Sequence, residues 1–469
     1  MLLNNLMKSE ALLKKAIAVA LLLSNIPFLI LTAFIHPAYD DFCFAGQTLR
    51  LGAFAAWKDA YNAWTGKYFG NLLYALNPLV YGSFTAYKIL ALLIILLTLI
   101  SVFCLVNALF KSGLALVDRL LLASFITALF SNQMPEITEG YYWMGATLYY
   151  QLGNILCLFF FALATKLSVK TKGVRVLMFL SSCILIVAIV GSTETTMVIF
   201  ALLVFTITIK TFVAKSAERW MWLVFFILTI ACAFIVLSSP GNAIRSSYFP
   251  NRNRFLFSLG MSLRQEISFL SIWFSNISFL LGTILFIPIA AGLSDNAALP
   301  KFFRINPLIP TLLLLLIIFL GLFPAYWSTG MMGQHRTVNT AYFFFLIGWF
   351  ICLVVWINYL KEKLRLKTES LPSYVYVICV PVLLFNLYFS NNTRAAIADL
   401  VRGRAYRYDM EVKKRYAQFE QCAREGRIEN CPVAQTSELP ATITNSYFET
   451  EMSCEKRYWI LKAPPPDAK

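Results

Sequence analysis

The feature that most constrains this chain is a recurring run of about 20 apolar residues, the length an α-helix needs to cross the hydrocarbon core of a bilayer. Such stretches stand at 15–35, 84–110, 114–131, 148–165, 174–193, 195–213, 219–239, 266–292, 308–328, 338–360 and 374–390. Inside hydrocarbon every backbone N–H and C=O needs an internal partner, and a helix supplies one for each. Composition points the same way: 59% of the 469 residues are hydrophobic and 14% are charged, against about 25% charged in a soluble domain. That excludes a soluble enzyme, a disordered regulator and a nucleic-acid binder. The net charge of +16 reports membrane orientation instead. The expected fold class is an all-α polytopic membrane protein with about eleven transmembrane helices, in a range of about ten to thirteen. Interfacial helices accompany them, and a small α+β appendage ends the chain.

Orientation follows from the Lys and Arg. If the N-terminus is cytoplasmic, 18 of the 40 fall in cytoplasmic segments, nine on the opposite side and 13 in the tail. Every cytoplasmic turn is then basic, and the positive-inside rule favours this arrangement. The first stretch is long for a signal sequence and lacks a clean cleavage site, so it reads as a retained anchor. Segment 71–83 is too short to span and reads as interfacial. Residues 1–390 form the membrane domain. Residues 391–469 form an outward C-terminal domain, with a helix over 394–426 and short strands around 440–448 and 457–462.

Six cysteines (104, 157, 183, 232, 352 and 379) lie in spans, where they act as small apolar groups. Cys43, Cys422, Cys431 and Cys454 all fall outside. Two disulfides are therefore allowed in an oxidising compartment, with three pairings open and Cys422–Cys431 the most local. With only His36 and His335, a histidine metal cluster or a Ser-His-Asp triad has no basis. No glycine-rich phosphate loop is present either, so a nucleotide-driven mechanism has no support, and the expectation is that no cofactor is required.

The outward segments hold the chemistry. Asp40 and Asp41 follow the first span and precede a stretch with Trp57, Tyr61, Trp64 and Tyr68, read as one interfacial helix with these rings on its apolar side. An Asp there can serve as general base on a hydroxyl, or can simply cap the helix. Glu136 and Glu139 lie beside Tyr141, Tyr142 and Trp143, a pairing that suits sugars and equally suits an aromatic belt. Glu194 sits in a tight turn near membrane depth, where an acid needs a task or a partner. Arg245, in SPGNAIR, and His335 with Arg336, in GQHRTVN, offer phosphate-type contacts. Arg252 and Arg254 read as surface groups near lipid headgroups.

The acidic pair in Tyr39-Asp40-Asp41-Phe42, followed by an interfacial helix, resembles the GT-C class of integral-membrane glycosyltransferases. The ordered set YDDFCFA, Trp57 to Tyr68, YYWMGATLYY, GSTET, SPGNAIR and GQHRTVN also resembles a bacterial multispanning family of unassigned function. The resemblance implies a catalytic domain over 1–390 and Asp41 or Asp40 as base. It further implies that Glu136, Glu139, Trp143 and Glu194 bind acceptor or sugar, and that Arg245, His335, Arg336 and Lys67 hold a donor phosphate. No metal ligand is assigned, and whether a divalent cation bridges the phosphate stays open.

The expected activity is transfer of a sugar from a polyprenyl-phosphate carrier to a periplasmic-side glycan or lipid-linked oligosaccharide, such as an O-antigen, at a bacterial inner membrane. The implied partners are that donor, that acceptor and membrane lipids, with no nucleic acid. The alternatives are a transporter or flippase of lipid-linked glycans, and a glycan polymerase or ligase. Only one of the two Asp is expected to enter the cleft, because neighbouring side chains point apart.

Overall fold

The computed structural model describes residues 2–167, 171–294, 303–364, 372–433, 436–446 and 452–463, and among them there are helices and turns but no strand. Among the described residues eight helices are long and apolar enough to cross a membrane: Leu12–Phe34, Phe84–Phe110, Met144–Ala164, Gly173–Val190, Glu194–Val213, Arg219–Leu237, Leu308–Thr329 and His335–Leu364. The number rises to 10 if each of two bent pairs is one span. These are Phe255–Phe274 with Ile277–Leu293, bent by 70°, and Tyr374–Phe389 with Asn391–Val401, bent by 53°. The chain is a multi-pass, all-helical membrane protein.

Among the described residues the count of 8 to 10 reaches at most the lower end of the expected range of ten to thirteen. Residues 114–131 do form a helix, Leu116–Gln133. Asp118 and Arg119 near one end and Asn132 and Gln133 at the other leave too short an apolar stretch for a crossing. From Leu122 to Asn132 it is buried on every side, and the Asn132 amide donates to the carbonyl of Leu387 and the hydroxyl of Thr393, both at 2.9 Å. Between the long helices, polar side chains act as cross-links, which hydrocarbon cannot supply. Gln151 donates to Thr98 (3.0 Å), Asn154 to Thr340 (3.2 Å) and Thr196 to Asn154 (3.2 Å).

The first loop is three short helices, Asp40–Leu51, Ala53–Ala63 and Tyr68–Ala75, and not one interfacial helix. Gly52, at φ 82°, makes the first break. The four aromatic residues therefore do not share a face. The Trp57 indole donates to the Tyr68 carbonyl and the Tyr61 hydroxyl to the Ile235 carbonyl, each at 2.7 Å.

The tail departs from the expected α+β form. The 457–462 segment belongs to a helix, Ser453–Lys462, with Glu455 in its first turn and Lys462 in its last, the arrangement a helix dipole favours. Residues 441–443 make a turn and 444–445 are irregular, while 447–448 lie outside the described residues. The expected helix over 394–426 is split by Gly403 (φ 68°) into Asn391–Val401 and Arg404–Arg424. Tyr408, Val412, Tyr416 and Tyr458 share one apolar core with Phe42, Leu79 and Tyr87 of the membrane-side segment.

Two disulfides close the tail, Cys422–Cys431 and Cys43–Cys454. The second ties the final helix to the helix that carries the acidic pair, and the Tyr458 hydroxyl and the Lys462 ammonium donate nearby to the carbonyls of Leu79 (2.9 Å) and Val80 (3.0 Å). A third tie is buried Asp409, which meets His36 (3.0 Å), Lys88 (2.9 Å) and Lys413 (2.6 Å). Burial pushes the His36 imidazole down to about 4, so it is neutral at pH 7 and its Nε2–H donates to Asp409.

Chain entropy makes the two disulfides unequal, because their partners are 411 and nine residues apart. Replacing Cys43 and Cys454 by Ala should cost about 2–4 kcal/mol, and replacing Cys422 and Cys431 clearly less. Unfolding midpoints of both variants in one detergent check this order.

Candidate functional site

Tyr39 enters the first short helix at φ 35° and ψ −97°, a backbone region that L-residues rarely occupy. It aims the two following carboxylates differently. Asp41 is fully buried. One oxygen accepts from the Tyr74 hydroxyl (2.7 Å) and the Gly145 N–H (3.2 Å). The other accepts from the Tyr87 hydroxyl (2.7 Å) and the Ala38 N–H (3.0 Å). Burial pushes the Asp41 carboxyl up to about 7, against the pull of the Tyr74, Ala38 and Tyr87 hydrogen bonds. Burial likewise raises the Tyr74 phenol well above its usual value, so Tyr74 remains a donor.

Asp40 is only partly buried and lines an open cleft together with Lys67, Arg245, Arg336, Trp64 and Tyr150. Burial raises its carboxyl above the ordinary range, and the charges of Arg336 and Arg245 offset part of that rise. One of the two Asp thus enters the cleft, and it is Asp40.

Each cation arrives by a local device. Lys67 precedes the Tyr68–Ala75 helix, whose second and third N–H groups, at Phe69 and Gly70, donate to the Gly191 carbonyl (2.9 and 3.2 Å). A Cβ on Gly191 would lie 2.2 Å from the Tyr68 ring, and one on Gly70 equally close to the Tyr149 ring. That docking brings Glu194 to 3.2 Å from the Lys67 ammonium. Glu194 stands in the first turn of its own helix, where the dipole also favours a negative charge.

Arg245 ends a short helix, Pro240–Ser247. Asn242 on this helix accepts from the Gly66 N–H (2.9 Å), and Arg245 lies over the Trp64 ring at 5.1 Å. Arg336 is held from behind. Glu139 accepts its backbone N–H (2.7 Å), capping the His335–Leu364 helix, and sits 3.9 Å from its guanidinium. The same guanidinium lies 4.9 Å from the Trp143 ring and 5.6 Å from that of Tyr150.

Of the residues singled out in the sequence, Asp40, Lys67, Arg245 and Arg336 line one cleft. Glu139, Trp143 and Glu194 stand behind its cations. Glu136 and His335 are not brought in. The Glu136 carboxylate accepts the Thr138 N–H (3.2 Å) and so braces its own turn, and His335 is exposed. Sequence reasoning missed Tyr74 and Tyr87 as the holders of Asp41. It also gave Tyr150 no role, although that tyrosine stands at the end of YYWMGATLYY. Two π-helical turns, Thr138–Tyr142 and Thr147–Gln151, shape this motif, a distortion common at functional sites. Among the described residues no three His, Cys, Asp or Glu cluster as metal ligands would.

Comparison with known proteins adds no relative. No family model matches the chain, and no curated protein or solved structure is similar to it.

An amide at position 41 would set its NH₂ against a backbone N–H of Ala38 or Gly145. Asp41→Asn should therefore cost about 1–3 kcal/mol, the price of an unmet buried donor. Asp40→Asn, with no such contacts, should change stability by less than about 1 kcal/mol. Thermal unfolding of both variants in detergent distinguishes them.

Proposed function

We propose that the chain is a glycosyltransferase of a bacterial inner membrane, taking a sugar from a polyprenyl-phosphate carrier at the periplasmic face. The observation that carries this reading is the single cleft in which a partly buried carboxylate faces three cations and several aromatic rings. Arginines and a lysine suit an anionic phosphate. Aromatic faces beside a carboxylate suit a sugar. A lipid-linked donor needs such a site beside a membrane-spanning bundle, and here Arg336 sits at the start of a spanning helix. The orientation draws support from the basic turns at the other end and from the two disulfides, which persist in oxidising compartments.

In the reaction, an acceptor hydroxyl attacks the anomeric carbon while Asp40 takes its proton. The bond from that carbon to the phosphate oxygen breaks, and its electron pair stays on the phosphate near Arg245, Arg336 and Lys67. The acceptor is a surface glycan or lipid-linked oligosaccharide. Asp41 is the anchor of the site and not the base, since both of its oxygens are engaged.

Wild-type and Asp40→Asn proteins in nanodiscs, given radiolabelled undecaprenyl-phosphate hexose and a membrane glycan extract, test the assignment. Transfer should fall at least about 100-fold in the variant, the scale of a lost general base, with donor binding retained. Absence of both transfer and donor hydrolysis in the wild type, across several sugars, would overturn it.

The pH profile has a worked sign. Asp40 acts when ionised and its carboxyl is raised by burial, so the rate should fall as pH drops through a value above the usual carboxylate range. Arg336 and Arg245 lower that value, so Arg245→Ala should move the acid limb to higher pH in a pH–rate series. A limb that stays in place would separate Arg245 from the charge on Asp40.

A further inference from the structure

Three tyrosines line the cleft, Tyr74, Tyr149 and Tyr150. Two have committed hydroxyls: Tyr74 donates to Asp41 (2.7 Å) and Tyr149 to the Asn71 side-chain carbonyl (3.0 Å). The Tyr150 hydroxyl makes no hydrogen bond among the described residues. Its ring is flanked by two cations, with the Lys67 ammonium 5.3 Å and the Arg336 guanidinium 5.6 Å from its centroid. Both cations already have a carboxylate, Glu194 at 3.2 Å and Glu139 at 3.9 Å. Their pull on a bound anion is thereby softened, and a free phenol beside them is the group left to address one particular oxygen.

We propose that Tyr150 is the hydrogen-bond donor to the phosphate in this cleft, and that it favours the phosphate monoester released by the reaction over the diester that enters. This rests on the transferase reading and adds to it a residue that tells product from substrate. In the diester the oxygen bound to the sugar carbon is a bridging atom and a poor acceptor. As the carbon–oxygen bond breaks, the electron pair remains on that oxygen, which becomes terminal and negatively charged. The new bond joins the acceptor oxygen to the anomeric carbon, and the acceptor proton passes to Asp40. A hydrogen bond from Tyr150 to the departing oxygen strengthens along this path, so it lowers the barrier more than it tightens donor binding.

Dodecyl phosphate, a monoester, and dodecyl methyl phosphate, a diester, are the probes, titrated calorimetrically into wild type, Tyr150→Phe and Arg245→Ala in zwitterionic nanodiscs. Phe keeps the ring and its cation contacts, so the unfolding midpoint of Tyr150→Phe should match wild type. That variant should bind the monoester about tenfold more weakly, the scale of a charge-assisted hydrogen bond, and the diester within about threefold of wild type. Arg245→Ala should weaken both probes. Equal losses of the two probes in Tyr150→Phe, or no loss, would overturn the role of Tyr150 and leave the phosphate site standing. Failure of wild type to bind either probe would remove the phosphate site, and the transferase reading with it.

Discussion

The Asp41 carboxylate, buried out of reach of water, is stable only because four donors meet it. Those donors come from separate places in the chain: the turn at Ala38, the Tyr68–Ala75 helix through Tyr74, the Phe84–Phe110 span through Tyr87, and the backbone at Gly145. Two oxygen atoms thus set four segments in register. Asp40 stands two residues after Ala38 in the first of them, Lys67 immediately precedes the second, and Tyr149 and Tyr150 follow the last. The cleft inherits its geometry from a group that never enters it.

Around that anchor the cations are arranged unequally. Lys67 and Arg336 each have a carboxylate behind them, which makes a charge near the membrane tolerable. Aromatic faces flank both, at Tyr149, Tyr150 and Trp143. Arg245 has the face of Trp64 and, among the described residues, no carboxylate within ion-pair distance. It sits on an eight-residue helix held by Asn242 and by the close approach of Gly241 to the backbone at Trp64. The least neutralised charge of the cleft is therefore carried by a helix of only eight residues.

Much of this was legible in the sequence. The apolar runs give the spans because length and hydropathy alone decide them. Leu116–Gln133 misled because its apolar centre is sound while its polar ends are not. Asp40, Lys67, Arg245 and Arg336 could be singled out because charges at span ends are few. Their convergence could not be read, since it depends on Gly191 docking on Tyr68 and on Asn242 reaching Gly66. The choice between Asp40 and Asp41 was likewise hidden, because it turns on the backbone angle of Tyr39. At Ser453–Lys462 the apolar Tyr-Trp-Ile-Leu run looks like a strand. Packing overrides it, setting Tyr458 against Phe42 (5.3 Å between rings) and Cys454 against Cys43.

The joining of Cys43 to Cys454 has a consequence for how the molecule is made. A ribosome delivers the chain in order, and domains usually fold as they emerge. The helix bearing the acidic pair emerges well before the helix that clasps it, which lies 411 residues downstream. Every span between them must be inserted before that clasp can close. The helix that carries Asp40 and Asp41 is thus held by one made 411 residues later, and a chain stalled in between carries the acidic pair but not this brace.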